Sequence, residues 1–257
     1  MKLITTGCSF AGHASTLPYD EQESWTYWLE RLVKPNEVIE LGLNGIALDY
    51  IYRSVVDSVI DNLHDDLIVV VGWTSIQRWE KFTDEFGKFN GGSSTPHQRA
   101  SQYYLNDYNT PEYKQYLLNY STFQEHMRKL HLIIMLAGFL KSHNIKYLFF
   151  NAFDPLDGWK KGTGYYNKSE TGKDCPVLNK LTNYVKENVH FLEQTQIEIG
   201  AKEEHLERVR YGYYDGDDNS IYNKEGYFND DGWHPSILAH KEWSNVLYDF
   251  LNQKYGI

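Results

Sequence analysis

Residues 231–236 read DGWHPS: an aspartate and a histidine three apart, a proline behind them, and then the amphipathic run ILAHKEWSNVLYDFLNQKY. Two chemistries fit that spacing. Asp231 or His234 can mark a helix start, where a side chain meets the free N–H groups of the first turn and Pro235 fixes the backbone. Alternatively the two are the acid and base of a nucleophilic triad, with Asp231 holding the tautomer of His234. The second role needs a nucleophile from elsewhere. Residues 7–10, GCSF, follow the first apolar run of the chain, and a serine on a tight strand-to-helix turn presents its hydroxyl to a base delivered from another element. Gly42, Gly45 and Gly72 follow later apolar runs, and a glycine lets backbone N–H groups approach an oxyanion without a side chain in the way. Taken singly, each signal has a plainer reading, because Gly-x-Ser is a common turn and glycines are loop formers. Their ordered combination points to acyl transfer.

Four short apolar runs must carry these residues: MKLITTG, EVIELG, DLIVVVGW and IKYLFFNAF, each bounded by Gly, Asn, Asp or Pro. Their Ile and Val content predicts strands. Helical patterns separate them: SWTYWLERLV, ALDYIYRSVVDSVIDNLH and YSTFQEHMRKLHLIIMLAGFLKSHN, with a closing helix over 236–254. That alternation predicts a mostly parallel sheet covered on both faces, a three-layer α/β/α domain. The whole chain, 1–257, reads as one domain with two irregular insertions at about 80–120 and 152–230, rich in Tyr, Asn, Gly and Asp. Ligands of such sheets bind beyond the carboxyl ends of the strands. Ser9, Gly42 or Gly45, Thr74, Asp154 and the Asp231–His234 pair are therefore expected at one rim.

These blocks, in this order, resemble the SGNH or GDSL hydrolase superfamily. Gly7-Cys8-Ser9 is similar to its Gly-Asp-Ser block, with Cys8 where the family has Asp. Gly45 matches the oxyanion glycine of the second block, with Gly42 the alternative. Gly72-Trp73-Thr74-Ser75 is similar to Gly-x-Asn-Asp, with Thr74 in the Asn position, and Asp231, His234 and Pro235 meet the last block in full. The resemblance implies a flavodoxin-like α/β/α fold and ester hydrolysis through an acyl-enzyme. Ser9 is then the nucleophile, His234 the base and Asp231 its orienting acid. The oxyanion hole is implied to be the N–H groups of Ser9 and Gly45 with the Thr74 hydroxyl. No metal or organic cofactor is implied. A Thr hydroxyl is a shorter donor than an Asn amide, and loss of one oxyanion donor typically costs about 10²–10³ in turnover. A second reading, of another class, follows: a binding or structural protein that kept the hydrolase scaffold, including a component of a viral particle.

Composition narrows the partners. A net charge of −10 over 257 residues argues against a broad nucleic-acid footprint. The longest apolar runs fall short of the roughly 18 residues that span a bilayer, so no membrane partner is expected. The start MKLITTGCSF reads as a strand rather than a signal peptide, which predicts a cytoplasmic protein, or a virion-associated one on the second reading. Cys8 and Cys175 are expected as separate thiols. His126 and His131, five apart on one helix, fall on different faces and make no metal pair. The 21 tyrosines suit a ring-stacking surface, so the expected substrate is a small-molecule or glycan ester, with an O-acetylated carbohydrate preferred. Candidate substrate contacts are Trp73, Trp233, Asp154 and Arg78, the last free to hold an anionic group or to pair with Glu80. The sequence sets no oligomeric state.

Overall fold

In the computed structural model the apolar runs become strands: β1 (Lys2–Thr6), β2 (Glu37–Glu40) and β3 (Leu67–Trp73). A separate antiparallel pair follows, β4 (Trp79–Phe82) and β5 (Ala100–Tyr103). The main sheet resumes with β6 (Lys146–Asn151) and a two-residue edge, β7 (Phe191–Leu192). The structure describes residues 1–8, 11, 24–43, 46–76, 79–82, 100–103, 121–153, 155–158, 175–206, 224–227 and 235–257. The main sheet runs β2-β1-β3-β6-β7, and every neighbouring pair is parallel. This is the flavodoxin-like order, in which connections leave β1 and β3 toward opposite faces.

Alternation along the strands sorts the core into two faces. Leu3, Ile68, Val70, Leu148 and Phe150 point one way, into a cluster with α1 (Trp25–Val33) and the last helix. Ile4, Val69, Val71, Trp73, Tyr147 and Phe149 point the other, against α2 (Leu48–Asp61), α3 (Thr122–Ser142) and α4 (Pro176–Asn188). A strand buried on both faces needs no polar alternation, which is why LIVVVGW is apolar throughout and buried at every position. The helices present matching stripes: Leu48, Ile51, Val55 and Val59 on α2, and Trp25, Leu29 and Val33 on α1, all buried. Each such side chain contributes roughly 1.5–3 kcal/mol of transfer free energy.

Helix ends follow local chemistry. The Ser121 hydroxyl accepts from the Gln124 N–H at the start of α3, and Pro176 opens α4 where its missing N–H costs nothing. The last helix, α5 (Ile237–Tyr255), stops at Gly256 in the left-handed conformation, whose N–H donates to the Asn252 carbonyl. Within 152–230, α4 and β7 belong to the main layers, so that span is framework as well as irregular chain. Between β4 and β5 lies the span 83–99, outside the described residues. No described helix is long and apolar enough to cross a membrane.

The far end of α5 is tied to the sheet by one hydroxyl. Tyr255 Oη donates to the Tyr147 carbonyl (2.9 Å) and accepts from the Tyr147 N–H (3.1 Å). His190 Nδ1 also contacts Tyr255 Oη, and the His190 ring stacks on Tyr147 with centroids 5.0 Å apart. A phenol has one proton, so with that proton on the Tyr147 carbonyl, His190 Nδ1 must be the donor. Removing the oxygen leaves the Tyr147 backbone groups with less bonding in a half-buried place. Tyr255→Phe is expected to lower unfolding stability by about 1–3 kcal/mol, read from the urea midpoint; an unchanged midpoint would contradict this tie.

Candidate functional site

The carboxyl rim is shaped by a contact between two glycines. A Cβ on Gly7 would lie 2.7 Å from Ala11 Cβ and 3.2 Å from the Gly72 carbonyl oxygen. A Cβ on Gly72 would in turn lie 2.9 Å from the Phe150 ring. Only residues without side chains let the chain double back here, and it does: the Ala11 N–H donates to the Cys8 carbonyl at 2.7 Å. The β2 edge continues alongside, as the Leu41 N–H donates to the Thr5 carbonyl (2.8 Å) and the Leu43 N–H to the Gly7 carbonyl (3.2 Å). The backbones of Thr5–Gly7 and Leu41–Leu43 are thus held side by side. Ala11 is fixed further by Thr26 at the start of α1, whose hydroxyl reaches the Ala11 carbonyl (3.2 Å) and the Glu40 carboxylate (3.0 Å).

The start of α5 reaches the same rim. Trp243 and Trp25 both pack edge-on against Phe150, with ring centroids 5.2 Å and 5.4 Å from it. Ala11 and Trp243, more than two hundred residues apart in sequence, are buried in one cluster. The cap of α5 is Ser236: its hydroxyl accepts from the Ala239 N–H (3.4 Å) and donates to the Gly226 carbonyl (2.5 Å). The helix-start role open to Asp231 and His234 in the sequence is therefore filled by another residue. Past β7, Gln196 Nε2 donates to His240 Nδ1 (3.2 Å), and the Ile197 N–H reaches the Ala152 carbonyl (3.4 Å), joining the ends of β6, β7 and α5.

Of the residues singled out in the sequence, Cys8, Gly42, Gly72, Trp73, Thr74, Ser75 and Pro235 are described, and they lie at this rim. Ser9, Gly45, Arg78, Asp154, Asp231, Trp233 and His234 lie outside the described residues. Cys8 is buried and free of any disulfide. Trp73 is enclosed in the core with its ring edge-on to Phe149. Thr74 is fully buried, and its hydroxyl has no hydrogen-bond partner. One residue that sequence reasoning passed over joins them. Asn151 ends β6 in register with Trp73, is 1% exposed, and has neither amide atom hydrogen-bonded.

Charges gather one layer down. Arg128 on α3 pairs with Asp49 in the first turn of α2 and with Glu125 (2.6 Å), clamping the two helices together. Burial raises the Glu125 carboxyl, opposed by Arg128. His126 is buried while His131 is exposed. Burial first, and then Lys129, push the His126 pKa down to about 3, so the ring is neutral at ordinary pH. Among the described residues no three His, Cys, Asp or Glu side chains gather as metal ligands.

The strand order, the two helical faces and the rim define the fold of the SGNH or GDSL hydrolases. TesA resembles this chain at 11% identity with a TM-score of 0.51, over 98% of this chain and 99% of its own. A protein assigned to the lipolytic G-D-S-L family from Desulfitobacterium hafniense DCB-2 resembles it at 13% identity with a TM-score of 0.50, over 97% and 99%. At such identities the likeness is one of fold. No curated protein matches the sequence. Residues 12–168 match DUF6071, a family of unknown function, and the chain belongs to that family.

Two outcomes follow from this geometry. Gly7→Ala is expected to destabilise the fold by roughly 1–3 kcal/mol, because the added methyl meets Ala11 and backbone that cannot yield; a urea midpoint equal to wild type would contradict the close approach. For His126, the unfolded chain binds a proton below about pH 6.5 that the folded chain refuses until about pH 3. Stability then falls as pH drops through that window, by up to about 1.4 kcal/mol per pH unit from this group. His126→Leu should flatten the dependence of the urea midpoint between pH 6.5 and 4; an equal slope in both proteins would refute the assignment.

Proposed function

We propose that this chain is a serine ester hydrolase of SGNH type. The carrying observation is the shared burial of Ala11 and Trp243 in one cluster around Phe150. It supports delivery of residues 9 and 234 to one rim, since each lies a short stretch of chain from an anchored neighbour. The filled capping role of Ser236 supports a chemical use for the Asp231 and His234 pair. In this reading His234, oriented by Asp231, removes the Ser9 proton as Oγ forms a bond to the ester carbonyl carbon. The N–H groups of Ser9 and Gly45, with the Thr74 hydroxyl, hold the oxyanion. His234 returns the proton to the leaving alcohol, and water releases the acyl group through the same base. The substrate is an O-acylated small molecule or glycan, acetyl preferred, which the Tyr-rich chain suits better than a long lipid tail.

One observation favours a second reading. Thr74 is fully buried, as suits a scaffold that binds a partner, in a cell or a virion, without turnover. Kinetics separate the two. Wild-type protein is expected to hydrolyse p-nitrophenyl acetate and to take a fluorophosphonate label, with Ser9→Ala and His234→Ala each losing at least about 10³ of the turnover. Identical rates in all three proteins, without label, would favour the binding reading.

A further inference from the structure

Tyr255 fills a gap in the sheet. The Phe149 N–H of β6 donates to the His190 carbonyl at 2.9 Å, and pairing with β7 begins there, Phe149 against Phe191. Backbone groups alternate in direction along a strand, so the N–H and C=O of Tyr147, two residues earlier, point to the same edge, where β7 has not begun. The Tyr255 hydroxyl meets both, as donor at 2.9 Å and as acceptor at 3.1 Å. A side chain from the last turn of α5 thus closes an open strand edge. His190 completes the clasp, with Nδ1 on the same hydroxyl and its ring stacked on Tyr147.

With the phenol proton on the Tyr147 carbonyl, Nδ1 carries the His190 proton and Nε2 is bare, so a second proton goes to Nε2 and makes the ring a cation. Among the described residues the charges that act on this ring are both positive. Lys254 precedes Tyr255 on α5, and Lys141 of α3 bonds the carbonyl of Asn188, two residues before His190. That carbonyl end of α4 would favour a cation, and Lys141 already occupies it. Other charges nearby are paired elsewhere: Lys186 with Glu193 (2.8 Å) and Lys146 with Asp66 (3.4 Å). Burial first, then Lys254 and Lys141, hold the His190 pKa below its ordinary value. We propose that His190 makes this clasp acid-sensitive: on protonation it becomes a third cation beside Lys141 and Lys254, and the last turn of α5 lifts from β6 while the sheet stays folded. The neutral ring supports docking above about pH 6.5, and that support is lost as pH falls below it. Only one helical turn and one strand edge are released, so the opening is local.

The test is amide hydrogen exchange on the full chain, corrected for the pH dependence of the intrinsic rate. From about pH 7 to about pH 5, protection of the Leu251–Tyr255 N–H groups is expected to fall at least about threefold in wild type. His190→Asn keeps an amide N–H for the Tyr255 hydroxyl but takes up no proton, and there the fall is expected to be absent. Should that variant fail to fold, the wild-type protein carries the test alone: the His190 ring resonance and the exchange of those amides are expected to titrate with one midpoint. Protection that stays constant across the range, that falls equally in both proteins, or that falls with a midpoint other than that of the His190 ring overturns the proposal and leaves Tyr255 as a fixed structural tie.

Discussion

The rim depends on the absence of two side chains. At Gly7 a single methyl would collide with Ala11 and crowd the Gly72 backbone, and at Gly72 a methyl would strike the Phe150 ring. The second glycine lets the Phe150 ring approach the β3 backbone, with Trp25 and Trp243 packed edge-on to it from α1 and α5. The first lets the chain fold back immediately after β1. A side chain at Gly7 would crowd β1 against β3, and one at Gly72 would displace the Phe150 ring of β6.

The parallel order β2-β1-β3-β6-β7 puts every strand's carboxyl end on one side. Helices α1 and α5 then share one face of that sheet. The opposite face carries a different polar layer, with the Arg128, Asp49 and Glu125 clamp between α2 and α3. The clamp holds the first turn of α2. Burial of charge there is balanced by direct pairing, as a partly buried ion pair requires.

The framework strands were legible because a strand buried on both faces is a bare apolar run, and LIVVVGW and KYLFFN are that. Helices α1, α2, α3 and α5 were legible from their apolar spacing. Two framework elements were not. At Phe191–Leu192, β7 has two residues, too few for any period, and α4 has only Leu178, Thr182 and Val185 buried among polar neighbours. The turn after β7 did carry a readable signal: Thr195 and Glu198 form a capping box, the Thr-x-x-Glu pattern. Asn151 was passed over because an asparagine closing an apolar run reads as a strand boundary. Its significance lies in burial and in unmade hydrogen bonds, which only the folded chain displays. Of the candidate site, the strand ends and the cap at Ser236 are seen directly, while Ser9, Gly45, Asp231 and His234 fall outside the described residues.

The central claim is that a hydroxyl near one end of the chain and an imidazole near the other form a working pair. A crystal structure of the protein measures it most directly, as the separation between Ser9 Oγ and His234 Nε2. The account predicts about 2.6–3.2 Å, with Asp231 on the far nitrogen of the ring. Ser9 and His234 held too far apart for a hydrogen bond, with His234 turned toward another partner, would contradict it.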